Sequence, residues 1–335
     1  MTTDLIVSGV GTVRPEGFDF KTALGRRGYK YLPTASQYFL AAAKRALADI
    51  GQDDPLEATC AERRAAAVGT NSAAASLHDA MDRTVMETGA ADLSPVTAPY
   101  FSINLFGSRL AMEHGLKGFN LTFVSPRIAG LEAIETGQRA LAAGRARWLL
   151  AGATEQVLAE GEPGADTSEA GAVALVLEPA AAVAARGGRA YGRVAVRSFF
   201  LPPAVAAAAH GAERARALID GALEALGRFP GRPLPVTAVI DDSPVGEAFA
   251  AALGERAEYV PAGAGCLEPV ARVVAALAGG AGPARLVLTA AAEGNAAVCL
   301  VTPAGSGTQA GTEAESRTET QDEARAEARA EEGGG

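Results

Sequence analysis

Ser125, Pro126 and Arg127 lie where an apolar run, Thr122–Val124, meets a helix-like pattern that continues to Leu141. A sharp strand-to-helix turn is a frequent place to hold a nucleophile. Ser125 would need a base, and His114 is the nearest histidine upstream; Val124 and Pro126 flank it, so no GxSxG surrounds it. Arg127 is always protonated and a poor nucleophile. A cation opening an apolar helix must find a carboxylate, carbonyl oxygens or a neighbouring subunit, or else reach solvent; the sequence leaves these open. Cys266 opens another helix in GAGCLEPV, where a thiolate can be stabilised, but with no histidine nearby a packed small residue is the simpler reading. Asp241 and Asp242 follow a strand and have the chemistry to hold Mg²⁺. No third carboxylate sits beside them and no GxxxxGK[ST] loop exists, so a capped strand–helix junction is preferred. Gly9-Val10-Gly11 begins like a dinucleotide fingerprint, but Arg14 replaces its third glycine, and a structural strand end is preferred. With three histidines (His78, His114, His210) and three scattered cysteines (Cys60, Cys266, Cys299), neither a metal nor a cofactor is expected.

These residues need elements to position them. Apolar runs predict strands at 5–13, 65–70, 147–154, 170–178 and 236–242, a buried one beginning at Thr122, and two within 284–303. Helical spacing predicts helices at 34–51, 104–115, 214–227, 246–254 and 267–279, with the helix after Arg127 running to Leu141. The first should be capped by Thr34 or Ser36 and end at Gly51, and the second should close at Gly115. Strands alternating with helices in both halves imply a layered α/β fold, and the comparable order suggests a duplicated unit.

The chain has 335 residues, 48% of them hydrophobic and only 5% aromatic, enough for a sizeable core of tightly packed layers. Its net charge of −9 argues against nucleic acid as a partner. No run approaches the roughly 18 apolar residues of a membrane span, and the N-terminus lacks a signal-peptide pattern, so a cytoplasmic protein off the membrane is expected. From Ala304 the apolar residues other than alanine vanish and acidic residues outnumber basic ones, which predicts a disordered tail over 304–335.

Taken together, GFNLTFVSPRIAGLEAIETGQRALAAGRARWLLAGATE (118–155), LIVSGVGTVRPEG near the start, EAGAVALVLE, GAGCLEPVARVVAAL and EGNAAVCLV resemble the β-ketoacyl synthases of the thiolase superfamily. Gly118, Thr122, Leu131, Ala133, Ile134, Ala151, Gly152 and Glu155 fit the family pattern around its nucleophile. The resemblance spans about 3–303 and is strongest over 118–178. It implies a duplicated α-β-α-β-α fold, shortened relative to full ketosynthases, with halves at 1–185 and 186–303 before the tail. It also places Arg127 on the nucleophilic cysteine, Asp242-Ser243-Pro244 on the His-Gly-Thr motif and Glu258-Tyr259 near the later Gly-His, while the family's lysine is not evident. Arg127, Asp242 and Tyr259 are therefore degenerate catalytic positions.

Condensation in this family needs a thiolate to take the acyl chain and histidines to assist decarboxylation and stabilise the enolate oxygen. The resemblance thus implies an inactive chain-length factor of type II polyketide synthases, within antibiotic biosynthesis. The segment LGRRGYKYLPTASQYFLAAAKRAL (24–47) points to the highly reducing, polyene-forming type. Such a subunit would pair with an active ketosynthase and receive the polyketide chain from acyl carrier protein. Phe101, Ile103, Phe106 and Met112, with Arg127, are the candidates for tunnel wall and interface, because bulky apolar groups limit the length of a close-packed channel. A rewired acyltransferase or hydrolase using Ser125 or Cys266 is the alternative.

Overall fold

A computed structural model describes residues 5–50, 59–97, 100–228, 234–280 and 282–305. The tail prediction beyond 305 and the helix stop at Gly51 lie outside these residues. Ten strands carry the fold: β1 (Leu5–Val13), β2 (Arg64–Gly69), β3 (Asn120–Phe123), β4 (Trp148–Glu155), β5 (Gly171–Pro179), β6 (Gly192–Phe200), β7 (Val236–Ile240), β8 (Ala257–Pro261), β9 (Arg285–Ala290) and β10 (Asn295–Pro303). Seven longer helices pack on them: α1 (Thr34–Asp49), α2 (Ala75–Glu87), α3 (Leu105–His114), α4 (Ala129–Ala142), α5 (Gly211–Ala225), α6 (Pro244–Leu253) and α7 (Leu267–Ala278).

The strand order is β3-β2-β4-β5-β1-β6-β10-β9-β7-β8. Read outward from the centre, β1-β5-β4-β2-β3 repeats as β6-β10-β9-β7-β8. In both fives the outer three strands run parallel and the inner two antiparallel. Among the described residues the halves are joined in the sheet by one backbone bridge, Val7 to Gly192. The ten strands form one continuous sheet, and α4 and α7 pack in a core shared by strands of both halves.

Alternate residues of one strand feed different cores. Leu149, Ala151 and Ala153 of β4 face the central core with α4 and α7, whereas Trp148 and Leu150 face an outer core with α1 and α3. A third core joins β7, β9 and β10 to α5 and α6. Strands buried on both faces read as continuous apolar runs, which is why β1, β2, β4 and β5 were legible.

Gly9 and Gly11 are not a strand end. They lie within β1, where a Cβ would fall 2.4 Å from the Ala46 carbonyl oxygen and 2.0 Å from that of Ala42. Their bare backbone lets α1 lie close against the sheet. The start of α1 also differs from expectation: Pro33 holds the N-cap position, and no local side chain caps the helix. Gln156, distant in sequence, accepts from the Ala35 N–H at 3.2 Å instead. Helix α3 closes as predicted, with Gly115 left-handed at φ 61°.

Three elements were not foreseen. Helix α2 has no fully buried residue, so it shows no apolar stripe. β8 is a short edge strand that owes its form to pairing with β7. β6 did carry a signal, since Val194 and Val196 alternate with Arg193 and Arg197. β3 is an edge strand rather than a buried one, with Leu121 exposed.

Candidate functional site

The turn from β3 into α4 presents Arg127 at φ +60°, a left-handed conformation that costs a side-chain-bearing residue about 1–2 kcal/mol. Contacts on both sides hold it there. The Arg127 N–H donates to Asn71 Oδ1 at 3.2 Å, and Asn71 Nδ2 donates to the Val124 carbonyl at 3.0 Å. The strand–turn–helix frame is thus pinned from the end of β2.

The guanidinium reaches across the central layer into the second half. Nη1 donates to Asp241 Oδ2 at 2.7 Å and to the Ala290 carbonyl at 2.6 Å, and Nη2 donates to the Gly263 carbonyl at 3.3 Å. The side chain is only 13% exposed and Asp241 21%. Of the partners open in the sequence, a carboxylate and carbonyl oxygens within the same chain are the ones used. Burial raises the Asp241 carboxyl, but hydrogen bonds from Ser243 and Arg127, with the Arg127 charge, outweigh it and hold the group below its ordinary 3.8. Ser243 also caps α6, its hydroxyl accepting from the Gly246 N–H at 3.2 Å. Asp241 is therefore an ion-pair partner and part of a capped junction, which sets the Mg²⁺ reading aside.

The other two degenerate positions are not drawn in. Asp242, next to the residue that pairs with Arg127, points to solvent. Tyr259 is exposed on β8 and its hydroxyl donates to the Ala250 and Gly254 carbonyls. The residue facing Arg127 from the β7 end is Asp241, and the one from the β8–α7 loop is Gly263. Histidine supplies none of the hydrogen bonds described around the guanidinium; His78 donates instead to the Phe101 carbonyl at 2.6 Å.

Beneath this turn lies a second polar cluster. Glu155, buried at the end of β4, accepts from the backbone N–H groups of Asn71 (2.8 Å), Ser72 (2.8 Å) and Cys266 (2.9 Å). Glu169 Oε2 accepts from the N–H groups of Leu267 at 2.7 Å and Glu268 at 3.2 Å, capping the start of α7. Its Oε1 is buried without a partner. Burial, reinforced by the Glu155 and Glu268 charges, pushes its carboxyl up to about 7 against the pull of the two N–H donors. Sequence reasoning noted Glu155 as a family match and missed Glu169. The only signal for Glu169 was an acidic residue just ahead of an apolar strand.

Cys266 is fully buried. Burial first, then the Glu155 and Glu169 charges, push its thiol well above 9.0, the opposite of what a thiolate nucleophile requires. Ser125 has its carbonyl engaged by Asn71 Nδ2 and the Ala129 N–H, and no described contact gives its hydroxyl a base. The interface candidates divide. Phe106 is buried in the outer core with its ring centroid 5.8 Å from that of Phe39. Phe101, Ile103 and Met112 are exposed, Met112 at 70%.

Residues 7–187 match the family model for the β-ketoacyl synthase N-terminal domain. The chain belongs to the β-ketoacyl synthase family. No curated protein matches it. The fold is similar to that of the ishigamide ketosynthase/chain length factor (20% identity, TM-score 0.70, covering 90% of this chain and 99% of that one). It is also similar to a type II PKS acyl carrier protein in complex with its ketosynthase bound to the hexaketide (16% identity, TM-score 0.70, the same coverage). A β-ketoacyl synthase from Burkholderia phymatum STM815 follows at 14% identity and TM-score 0.69, again covering 90% and 99%.

Proposed function

We propose that this chain is a chain-length factor, a ketosynthase-like subunit without condensing activity of its own. It pairs with an active ketosynthase in a type II polyketide synthase of the cytoplasm and walls off the acyl tunnel, so setting chain length. The observation that carries the reading is the Arg127–Asp241 ion pair, which stands where the resemblance places the nucleophile and, one residue away, its histidine. Neither partner can accept and hold an acyl group as a thiolate would. Arg127 fills the position and ties the two halves together there.

The exposed residues fit a subunit that meets a partner at the β3 edge. Leu121 and Val124 at that edge, with Met86, Phe101 and Met112 from the adjoining segments, leave apolar surface uncovered. Among the described residues the β3 backbone edge has no neighbouring strand. Two of the structures similar in fold are a ketosynthase/chain length factor and an acyl carrier protein bound to its ketosynthase, which supports a partnership with both. Within this reading Phe101, Ile103 and Met112 contribute to the interface and tunnel wall, and Phe106 shapes the wall from behind. The alternative enzyme based on Ser125 or Cys266 gains no support from the burial and bonding at those residues.

Co-expression with a candidate ketosynthase tests the proposal. A one-to-one complex whose products change in length when Phe101 or Met112 is made smaller is the expected outcome. A chain that stays apart from every ketosynthase offered, or that is itself acylated by an acyl thioester, would sink it.

A further inference from the structure

The chain has four methionines. Met1 lies outside the described residues. The other three fall on two consecutive helices, Met81 and Met86 on α2 and Met112 on α3. Met86 is 85% exposed and Met112 70%, whereas Met81 is half-buried. A lone apolar residue on a surface needs no explanation, but these belong to a connected apolar strip. Leu77, Met81 and Val85 recur every fourth residue along α2, which puts them on one side of it, and no residue of that helix is fully buried. His78 of the same helix bonds the Phe101 carbonyl at 2.6 Å. On α3, Gly107 lies so close to β3 that a Cβ on it would fall 2.3 Å from Asn120 Oδ1. The strip thus runs from α2 through Phe101 and α3 to the β3 edge.

The thioether suits an apolar contact surface, because a flexible unbranched side chain fills irregular gaps. It is also the group there that an oxidant can change. A peroxide transfers one oxygen to it: the sulfur lone pair forms the S–O bond, the O–O bond breaks, and the departing hydroxide takes the proton of the transferred oxygen and leaves as water. Sulfur loses two electrons and the peroxide gains them. The product, a sulfoxide, is a polar acceptor in place of an apolar group. Exposed in the free chain it costs nothing, since water satisfies it. Covered by an apolar partner surface it carries the penalty of a buried polar group without a hydrogen bond. The two most exposed methionines are therefore the ones whose oxidation a partner would feel. The other sulfur open to solvent is Cys60, ahead of β2; Cys266 and Cys299 are buried.

We propose that Met86 and Met112 are peroxide-sensitive sites whose oxidation blocks assembly with the ketosynthase, an inference that rests on the pairing proposed above. Oxidation acts on the free chain, and assembly shields both sulfurs. Reduction of the sulfoxides restores the apolar strip, so the block is reversible.

The full chain, with Cys60→Ser to remove the exposed thiol, is treated with dilute hydrogen peroxide, alone and after assembly with the candidate ketosynthase. Oxidised residues are mapped by mass spectrometry. In the free chain Met86 and Met112 should oxidise roughly fivefold faster than Met81, and assembly should slow both by about the same factor. The oxidised chain should bind the ketosynthase about tenfold or more weakly in titration. Methionine sulfoxide reductases for both sulfoxide epimers should restore binding. A Met86→Leu, Met112→Leu chain should keep, through peroxide treatment, whatever affinity it has beforehand. Equal binding by oxidised and untreated chains overturns the inference and leaves the ketosynthase pairing standing. So do equal oxidation rates in the free and assembled states, a loss that the reductases do not reverse, or a loss that persists in the Leu variant. Absence of any complex with the untreated chain overturns the pairing itself, and the inference falls with it.

Discussion

Asp241 and Glu169 are carboxylates on opposite sides of the β8–α7 loop, and their surroundings push them in opposite directions. Gly263 lies between them: its carbonyl accepts from Arg127, and a Cβ on it would sit 2.5 Å from Glu169 Oε1. Asp241 has a cation, and its carboxyl is held below the ordinary value. Glu169 has only backbone donors, a neighbouring Glu155 and an oxygen with no partner, and its carboxyl rises to about 7. Both make the same kind of structural contribution, tying a strand end or helix start in one half to the other. The difference shows that the joint is held by different means at two depths, an ion pair near the surface and a proton-dependent helix cap below.

The largest way to break this comparison is Arg127→Ala. It strands Asp241 and the Gly263 and Ala290 carbonyls in a mostly buried site, and about 3 kcal/mol of stability should be lost, read by urea denaturation at pH 7. The Asp241 contribution is present above its unfolded value of 3.8 and disappears as pH falls through the lowered native value. The gap between wild type and variant should therefore narrow on acidification. A loss under about 0.5 kcal/mol would mean that the ion pair does not hold the halves together.

Gly130→Ala asks whether packing, rather than charge, sets the spacing of the central helices. The added Cβ would meet Val270 Cγ2 at 2.5 Å and the Ala153 Cβ at 2.9 Å. Overpacking of this kind costs about 2 kcal/mol, seen as a lower urea midpoint.

Glu169→Gln should act with the opposite pH dependence to the loss of Arg127. The native state binds the Glu169 proton more tightly than the unfolded chain, whose value is 4.5. Its contribution is full below that value and is lost as pH rises through about 7. Gln imitates the protonated acid, so the variant should match wild type near pH 4 and gain about 2 kcal/mol at pH 8. A constant difference at all pH values would show that Glu169 does not titrate within the joint.

The smallest effect sharpens the contrast between exposed and buried chemistry. In the folded chain iodoacetamide should label Cys60 alone, because Cys266 and Cys299 are buried with raised thiols. All three should label in urea, as counted by mass. Rapid native labelling of Cys266 would revive it as a candidate nucleophile.

Much of this is legible in the sequence alone. Strands β1, β2, β4 and β5 are apolar on both faces, so their composition alone defined them. The turn at Arg127 was visible as a strand-to-helix transition, and the need of its guanidinium for oxygen partners followed from the cost of a buried charge. What was not legible depends on contacts across long stretches of chain. Asp241 rather than Asp242 faces Arg127 because of how β7 ends against α6, and a one-residue shift moves a side chain from the site to solvent. Tyr259 leaves the site because β8 pairs at the sheet edge and sends its hydroxyl to the end of α6.

The sequence by itself determined the layered α/β class, most of the elements and the presence of a cation at the turn, because local period and composition are sufficient for these. Only the tertiary structure decided which oxygens neutralise Arg127, and that Glu169 caps a helix 98 residues away. Only there, too, do Gly9 and Gly11 prove to serve α1 rather than a ligand. Each of these depends on distances between residues far apart in the chain, which packing of the layers fixes and no local pattern encodes.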